Sequence, residues 1–384
     1  MVVRVKKILK IFGLVSLVLL LAFGLAYTQF SNRHKAVLKN NLLYKLGLSD
    51  SEWHVGNDSQ KYVMLSPTFM IDDIYKSMQG PAGSRMIQIS RDTSMIWFTG
   101  FGVEALDAKT KKRISNDFIC HTNFDFNDVR YYDGLGLKDR IGQQFPRMAS
   151  LSHGMESFHL PAGFGIPMRG NDLLEVTTQA LNHNVKDSTI WVKHQVSVEY
   201  SKAALKPLRV GHAFIMLPYD EKDPYREPLD PSRNYCIPVT TDSHDYCDAK
   251  GRKLSGHWVV PAGKNTYRCK VNDQLMIKDS LRLHASAIHV HPFATSITLF
   301  DKTKNAAVFT SSIVNFKNRI GIESIAPFTS EQGVWLYKDH EYEVVLEVNN
   351  TTSVKQDMMG SMFLFFYDSE LDARMDPGSK KAKR

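Results

Sequence analysis

From Lys61 onward the chain repeats one pattern: short apolar or alternating runs, each closed by Gly, Pro, Asn or Asp. MIWFTGFGVEAL, DLLEVTTQAL, STIWVKHQVSVEY, HAFIMLPY, SAIHVHPFATSITLF, AAVFTSSIVNF, YEVVLEVNN and SMFLFFYD are such runs, and Val, Ile, Thr, Phe and Tyr dominate them. β-Branched and aromatic residues at period two, broken by turn residues, are the signature of strands, and long helical periodicity is nearly absent. The pattern predicts an all-β chain of two antiparallel β-sandwich domains, jelly-roll-like, behind an N-terminal transmembrane helix. The chain's 384 residues suffice for two cores, and a 43% hydrophobic composition excludes a disordered chain.

The boundaries follow from where the rhythm breaks. Residues 1–30 hold Arg4, Lys6, Lys7 and Lys10 ahead of an apolar stretch from Ile11 to Tyr27, which reads as a signal anchor. Its cationic flank keeps to the cytoplasm, so the bulk of the chain lies outside, membrane-anchored and periplasmic or lumenal. Cleavage after small residues such as Gly24 and Ala26 would instead release a secreted protein. Residues 31–58 carry Val37, Leu38, Leu42, Leu43, Leu46 and Leu48 at roughly helical spacing, which predicts a helical stalk or packing helix. The first sandwich is expected over 59–217 and the second over 257–370. The Pro-, Asp- and Arg-rich residues 218–256 between them read as an inserted loop, and 371–384 as a disordered basic tail. The net charge of +8 owes much to clusters at the two ends of the chain, so no nucleic-acid partner is implied. Four cysteines in an exported chain permit disulfides, and Cys236 is expected to pair with Cys247 or Cys269.

The chemistry-bearing feature is His289-x-His291. Residues two apart on a strand share a face, so both imidazoles aim at one spot, as a metal site requires. Imidazole suits copper, zinc, iron and nickel. Met358 or Met359, ahead of the last apolar run, offers a thioether, a soft donor that selects copper over zinc. No Ser-His-Asp arrangement, P-loop or dinucleotide motif is visible. Gly134 and Gly136 mark a turn, His284 faces away from His289, and His244 and His257 read as solvated residues in or beside the loop.

The run WVVPAGKNTYRCKVNDQLMIKDSLRLHASAIHVHPFATSITLFD resembles the second domain of the copper type II, ascorbate-dependent monooxygenases. That family includes the peptidylglycine α-hydroxylating and dopamine β-monooxygenases. The similar features are Pro261 and Gly263, Ala285-Ser286 leading into H-x-H, and Asp357 two before Met359. The resemblance implies that His289, His291 and Met359, or Met358 if the register slips, hold the copper at which oxygen reacts. The family's Cys after the Met is Gly360 here. For the family's first-domain copper, FICHTNFDF and HLPAGFGIPMRGNDLLEVTTQALNHN offer His121 and His183. Cys120 stands where an imidazole is expected, as a substitute ligand, core residue or disulfide partner. His153 and His159 are spare imidazoles nearby, and Asp125 and Asp128 are candidates for orienting His121. The resemblance thus implies an exported copper-dependent monooxygenase with one or two coppers, using ascorbate or another one-electron reductant on an unidentified substrate. The alternative is a non-catalytic copper-binding or envelope protein on the same scaffold.

Overall fold

A computed structural model describes residues 2–58, 60–218 and 254–375. The expected loop, His244 and the Cys236–Cys247 pairing lie almost entirely outside these residues. Cys269 is a thiol that donates to Lys270 O, and Cys236, its alternative expected partner, lies outside the described residues.

The all-β expectation holds: the strands form antiparallel sheets stacked as β-sandwiches behind one apolar N-terminal helix. An 11-stranded sheet runs through the whole molecule. Its first half pairs Lys61–Leu65, Ile190–Ser201, Met95–Asp107 and Phe164–Arg169. Its second half pairs Lys206–Phe214, Gly360–Tyr367, Leu281–Val290 and Phe328–Leu336. A 4-stranded sheet, which includes Ile119–Phe126 and Leu174–Ala180, covers the first half. Phe101 and Phe124 meet across that layer with ring centroids 4.8 Å apart. A 5-stranded sheet covers the second half, where Phe309 stacks on Phe328 at 4.6 Å. All four rings lie in these layers, and each fully buried one contributes about 1.5–3 kcal/mol of hydrophobic stabilisation.

Three boundaries move. Lys206–Phe214, placed by sequence in the first sandwich, pairs with Gly360–Tyr367 from Leu208↔Tyr367 to Phe214↔Ser361 and so belongs to the second. It joins the first half through a short parallel pairing, Lys206↔Phe164 and Pro207↔Gly165, and through His212 Nε2, which lies 2.9 Å from Arg147 O. The supposed tail begins as a helix, Ser369–Met375, that buries Leu371. The supposed stalk is a helix only over Asn32–Lys45, capped by Ser31, and His54–Asp58 is a strand on the sheet edge.

That helix packs with the face opposite to the expected one. It buries Ala36 and Asn40; Asn40 donates to Met70 O and accepts from Met70 N, while Tyr44 donates to Thr68 O. Val37, Leu42, Leu46 and Leu48 remain exposed. Polar contacts to an open strand edge decide the face, because they satisfy backbone groups of Phe69–Ile71 that apolar side chains cannot. Ahead of it, Lys10–Thr28 is a stretch of 19 residues with mean hydropathy 2.3, long and apolar enough to cross a membrane.

The two halves meet along a seam. Phe158 stacks on Phe365 at 5.1 Å, Arg140 forks onto Asp368, and Arg319 pairs with Asp117 at 2.7 Å. Asn184 bonds both backbone groups of Ile320, and Ile325 N donates to Gly154 O.

Candidate metal centre

The seam gathers histidines from both halves. His289 is the penultimate residue of the strand Leu281–Val290 and His291 follows directly after the strand; their ring centroids are 5.7 Å apart. From the first half, the strand Ile119–Phe126 directs His121 to within 6.3 Å of the His289 ring. His183 follows Asn182, whose side-chain oxygen accepts from Asn184 N and Val185 N and so fixes the turn. Cys120, His183, His289 and His291 line one cavity, with room of about 20 Å³ for a water-sized occupant. Histidines expected at two separate coppers, His183 from the first and His289 and His291 from the second, therefore converge at one place.

His257, read from sequence as solvated, is buried at 3% exposure. Its backbone N–H donates to Ser255 Oγ, and Ser255 returns a bond to His257 O, which turns the chain into the strand Trp258–Val260. That strand pairs Trp258↔Met358 and Val259↔Asp357, bringing His257 beside Asp357. The loop-like composition before it hides this ladder. Asp357 Oδ2 lies 3.3 Å from His257 Nε2 and 3.3 Å from His291 Nδ1. The three donor atoms lie within 4.8 Å of one another, and all three residues are buried. Donors held about 2.0–2.1 Å from a tetrahedral metal stand roughly 3.3–3.4 Å apart, so this spacing fits a shared ion.

Burial keeps the neighbouring imidazoles neutral and the His257–His291 pair keeps Asp357 ionised. Metals bind neutral imidazole and ionised carboxylate. Burial, reinforced by His291, His121 and Arg147, holds His289 well below the ordinary imidazole range. Burial likewise pushes His121 down to about 3 and His183 down to about 4. Burial opposes the charge on Asp357, but His257 and His291 outweigh it and hold the carboxyl well below its usual range. The buried nitrogens His183 Nε2, His289 Nδ1 and His291 Nδ1 find no hydrogen-bond partner among the described residues. Buried polar atoms are almost always partnered, so three orphans on one cavity are a donor set awaiting an acceptor of lone pairs.

The remaining candidates sort by place. Met359 packs with Phe214 and Met216, flanked by Leu254 and Cys269, and Met358 is buried in the main core. The donor that meets His291 is thus the Asp357 carboxylate rather than a thioether. At Gly360 a Cβ would lie 3.2 Å from Leu346 Cδ2 and 3.3 Å from Ile215 Cδ1, so the cysteine of the resembled family would require those two side chains to shift by a few tenths of an ångström. Cys120 is buried, and its sulfur accepts from Met78 N at 3.5 Å. His153 lines the cavity and pairs with Asp117 at 2.7 Å and Glu156 at 3.0 Å, whereas the exposed His159 pairs with Glu199. Asp125 forks with Arg147 and Asp128 accepts from Gly142 N, so neither orients His121. His284 is a core residue bonded to Ser330 O, as expected.

No family model and no curated protein matches the chain. Among solved structures it is similar to PNGase F, a glycosylasparaginase from Flavobacterium meningosepticum, at 8% identity and TM-score 0.32, over 78% of this chain and 96% of that one. It is also similar to the major capsid protein P2 of bacteriophage PM2, at 9% identity and TM-score 0.30, over 79% of this chain and 98% of that one. The STIV MCP matches at 10% identity and TM-score 0.30, over 84% of this chain and 98% of that one. Likeness of this degree says nothing about the chemistry of the buried cluster.

Proposed function

We propose that this chain is a membrane-anchored metal-binding protein that holds a single transition-metal ion on the seam between its sandwiches. His257, His291 and Asp357 are the ligands, and His289 and His183 are further donors on the cavity that His291 lines. The observation that carries this reading is the 3.3 Å spacing of both imidazole nitrogens from one buried carboxylate oxygen. Copper is the metal that the sequence resemblance implies, and imidazole suits it. A carboxylate in place of a thioether makes the site harder and favours the divalent ion.

Hydroxylation, the activity the resemblance also implies, needs space for an organic substrate beside the metal. Among the described residues, the cavity beside His289 and His291 has room of about 20 Å³, which favours metal holding over monooxygenase chemistry. The apolar helix Lys10–Thr28 is proposed as the anchor, with the sandwiches on the non-cytoplasmic side. The exposed Leu42, Leu46 and Leu48 follow it closely in sequence, where a bilayer surface would cover them.

The test is the metal content of the full chain in detergent, loaded with Cu(II) and dialysed, beside Asp357→Asn. A single copper per chain that Asp357→Asn loses supports the proposal. No retained copper in the wild type, or equal copper in both, overturns it.

A further inference from the structure

A second cavity, about 220 Å³, opens elsewhere on the seam, away from the histidines. Its lining includes two arginines in opposite circumstances. Arg140 is satisfied: its guanidinium forks onto both oxygens of Asp368 and reaches Glu370. Arg209 lies on the strand Lys206–Phe214, paired with Phe366 through the backbone, and its guanidinium forms no ion pair or hydrogen bond with any described residue. It is half-buried, and partial burial together with nearby Arg140 works against its charge more than Asp368 supports it. A half-buried guanidinium that no protein group engages leaves its planar fork free for an anionic ligand.

The surroundings are suited to a ligand. Gln144 and Ser280 line the same cavity and supply neutral polar groups, and Lys278 stands at the exposed rim with Asp139 and Asp279. Met276, also in the lining, closes the short helix Asn272–Leu275 with a left-handed backbone at φ 46°. The space exceeds that of a single water, about 30 Å³, by several fold, which suits a phosphate or a short organic acid. A planar guanidinium fork matches the paired oxygens of a carboxylate or phosphate.

We propose that this cavity binds a small oxyanion, a carboxylate or phosphate group, seated on the Arg209 guanidinium. It is independent of the metal centre and of the metal-binding reading.

The experiment follows the thermal midpoint of the full chain in detergent against inorganic phosphate and against succinate, with chloride at matched ionic strength as reference. The expected result is a saturable rise beyond chloride with one of the two anions, and which one identifies the source chemistry. Arg209→Met should abolish that rise without lowering the anion-free midpoint, since it removes an unpartnered charge. Arg209→Lys keeps the charge but loses the fork, and should weaken binding at least tenfold. No rise with either anion in the wild type, or an undiminished rise in Arg209→Met, overturns the proposal. If Arg209→Met does not fold, unchanged affinity in Arg209→Lys overturns it equally.

Discussion

His291 Nδ1 lies 3.3 Å from Asp357 Oδ2 without the alignment of a hydrogen bond. The carboxylate is thus close enough to share an ion with the imidazole yet does not use up its nitrogen. His257 Nε2 approaches the same oxygen, so one carboxylate bridges two imidazoles that are far apart in sequence.

Removing an imidazole from this set should be felt in metal affinity first. His291→Ala is expected to weaken copper binding by more than about a hundredfold, above the 10–100-fold typical of outer-sphere partners. His284→Ala, in the core and bonded to Ser330 O, should leave affinity unchanged. Competition with a chromophoric chelator measures both, and equal affinities in the two variants would count against the ligand assignment.

The acid and base limits of stability should reflect the seam cluster of Asp117, His153, Glu156 and Arg319. Burial opposes the charge on His153, but Asp117 and Glu156 outweigh it and raise the imidazole above its ordinary range. Burial also opposes the charges on the two carboxyls, and His153 outweighs it, with Arg319 assisting at Asp117, so both are lowered. The His153 contribution is therefore full below the unfolded value of about 6.5 and is lost as pH rises through the raised folded value. The carboxylate contributions are present above about pH 4 and are lost as pH falls through the depressed folded values. His153→Phe should consequently lower the thermal midpoint more at pH 5.5 than at pH 8.5. A difference independent of pH would contradict this.

Gly154 tests how tightly the halves fit. It sits at φ 91°, and a Cβ there would meet Ile322 Cγ2 at 2.3 Å, across the seam. Gly154→Ala should destabilise the chain by about 2–3 kcal/mol, combining backbone strain and overpacking. Gly142, at φ 73° with nothing within 4 Å, should cost only the left-handed strain of about 1–2 kcal/mol when changed to Ala. Denaturant unfolding separates them, and equal losses would mean the seam yields readily.

Much of this architecture is legible in the sequence. Strand density points to the β-sandwiches, because period-two patterns reflect one-sided burial directly. The pair His289 and His291 stands out for the same reason. What stays hidden depends on long-range pairing. Lys206–Phe214 looks like any strand, and only its partner Gly360–Tyr367 assigns it to the second sandwich. His257 lies next to a loop-like stretch, and only the short ladder to Asp357 draws it into the core. Asp357 is itself in view, two before Met359, but in the sequence it marks the methionine and nothing local distinguishes it as the donor. The helix Asn32–Lys45 shows the limit of apolar periodicity, since Asn40 and Tyr44, bonding a strand edge, set its packed face.

The exposed leucines of that helix and the turn after it bear on the membrane. With the full chain in lipid nanodiscs carrying photoactivatable phosphatidylcholine, cross-links should map to residues 10–28 and also to 42–48. Cross-links confined to 10–28 would leave the anchor standing and remove the surface contact. None in either segment would remove the anchor.

The central claim is that His257, His291 and Asp357 hold a metal together. Anomalous diffraction at the copper edge, from crystals of the copper-loaded protein, tests it most directly. The expected result is a single strong peak bonded to His257 Nε2, His291 Nδ1 and Asp357 Oδ2. A peak held by Met359, a peak confined to His121 and His183, or no peak on the seam would contradict it.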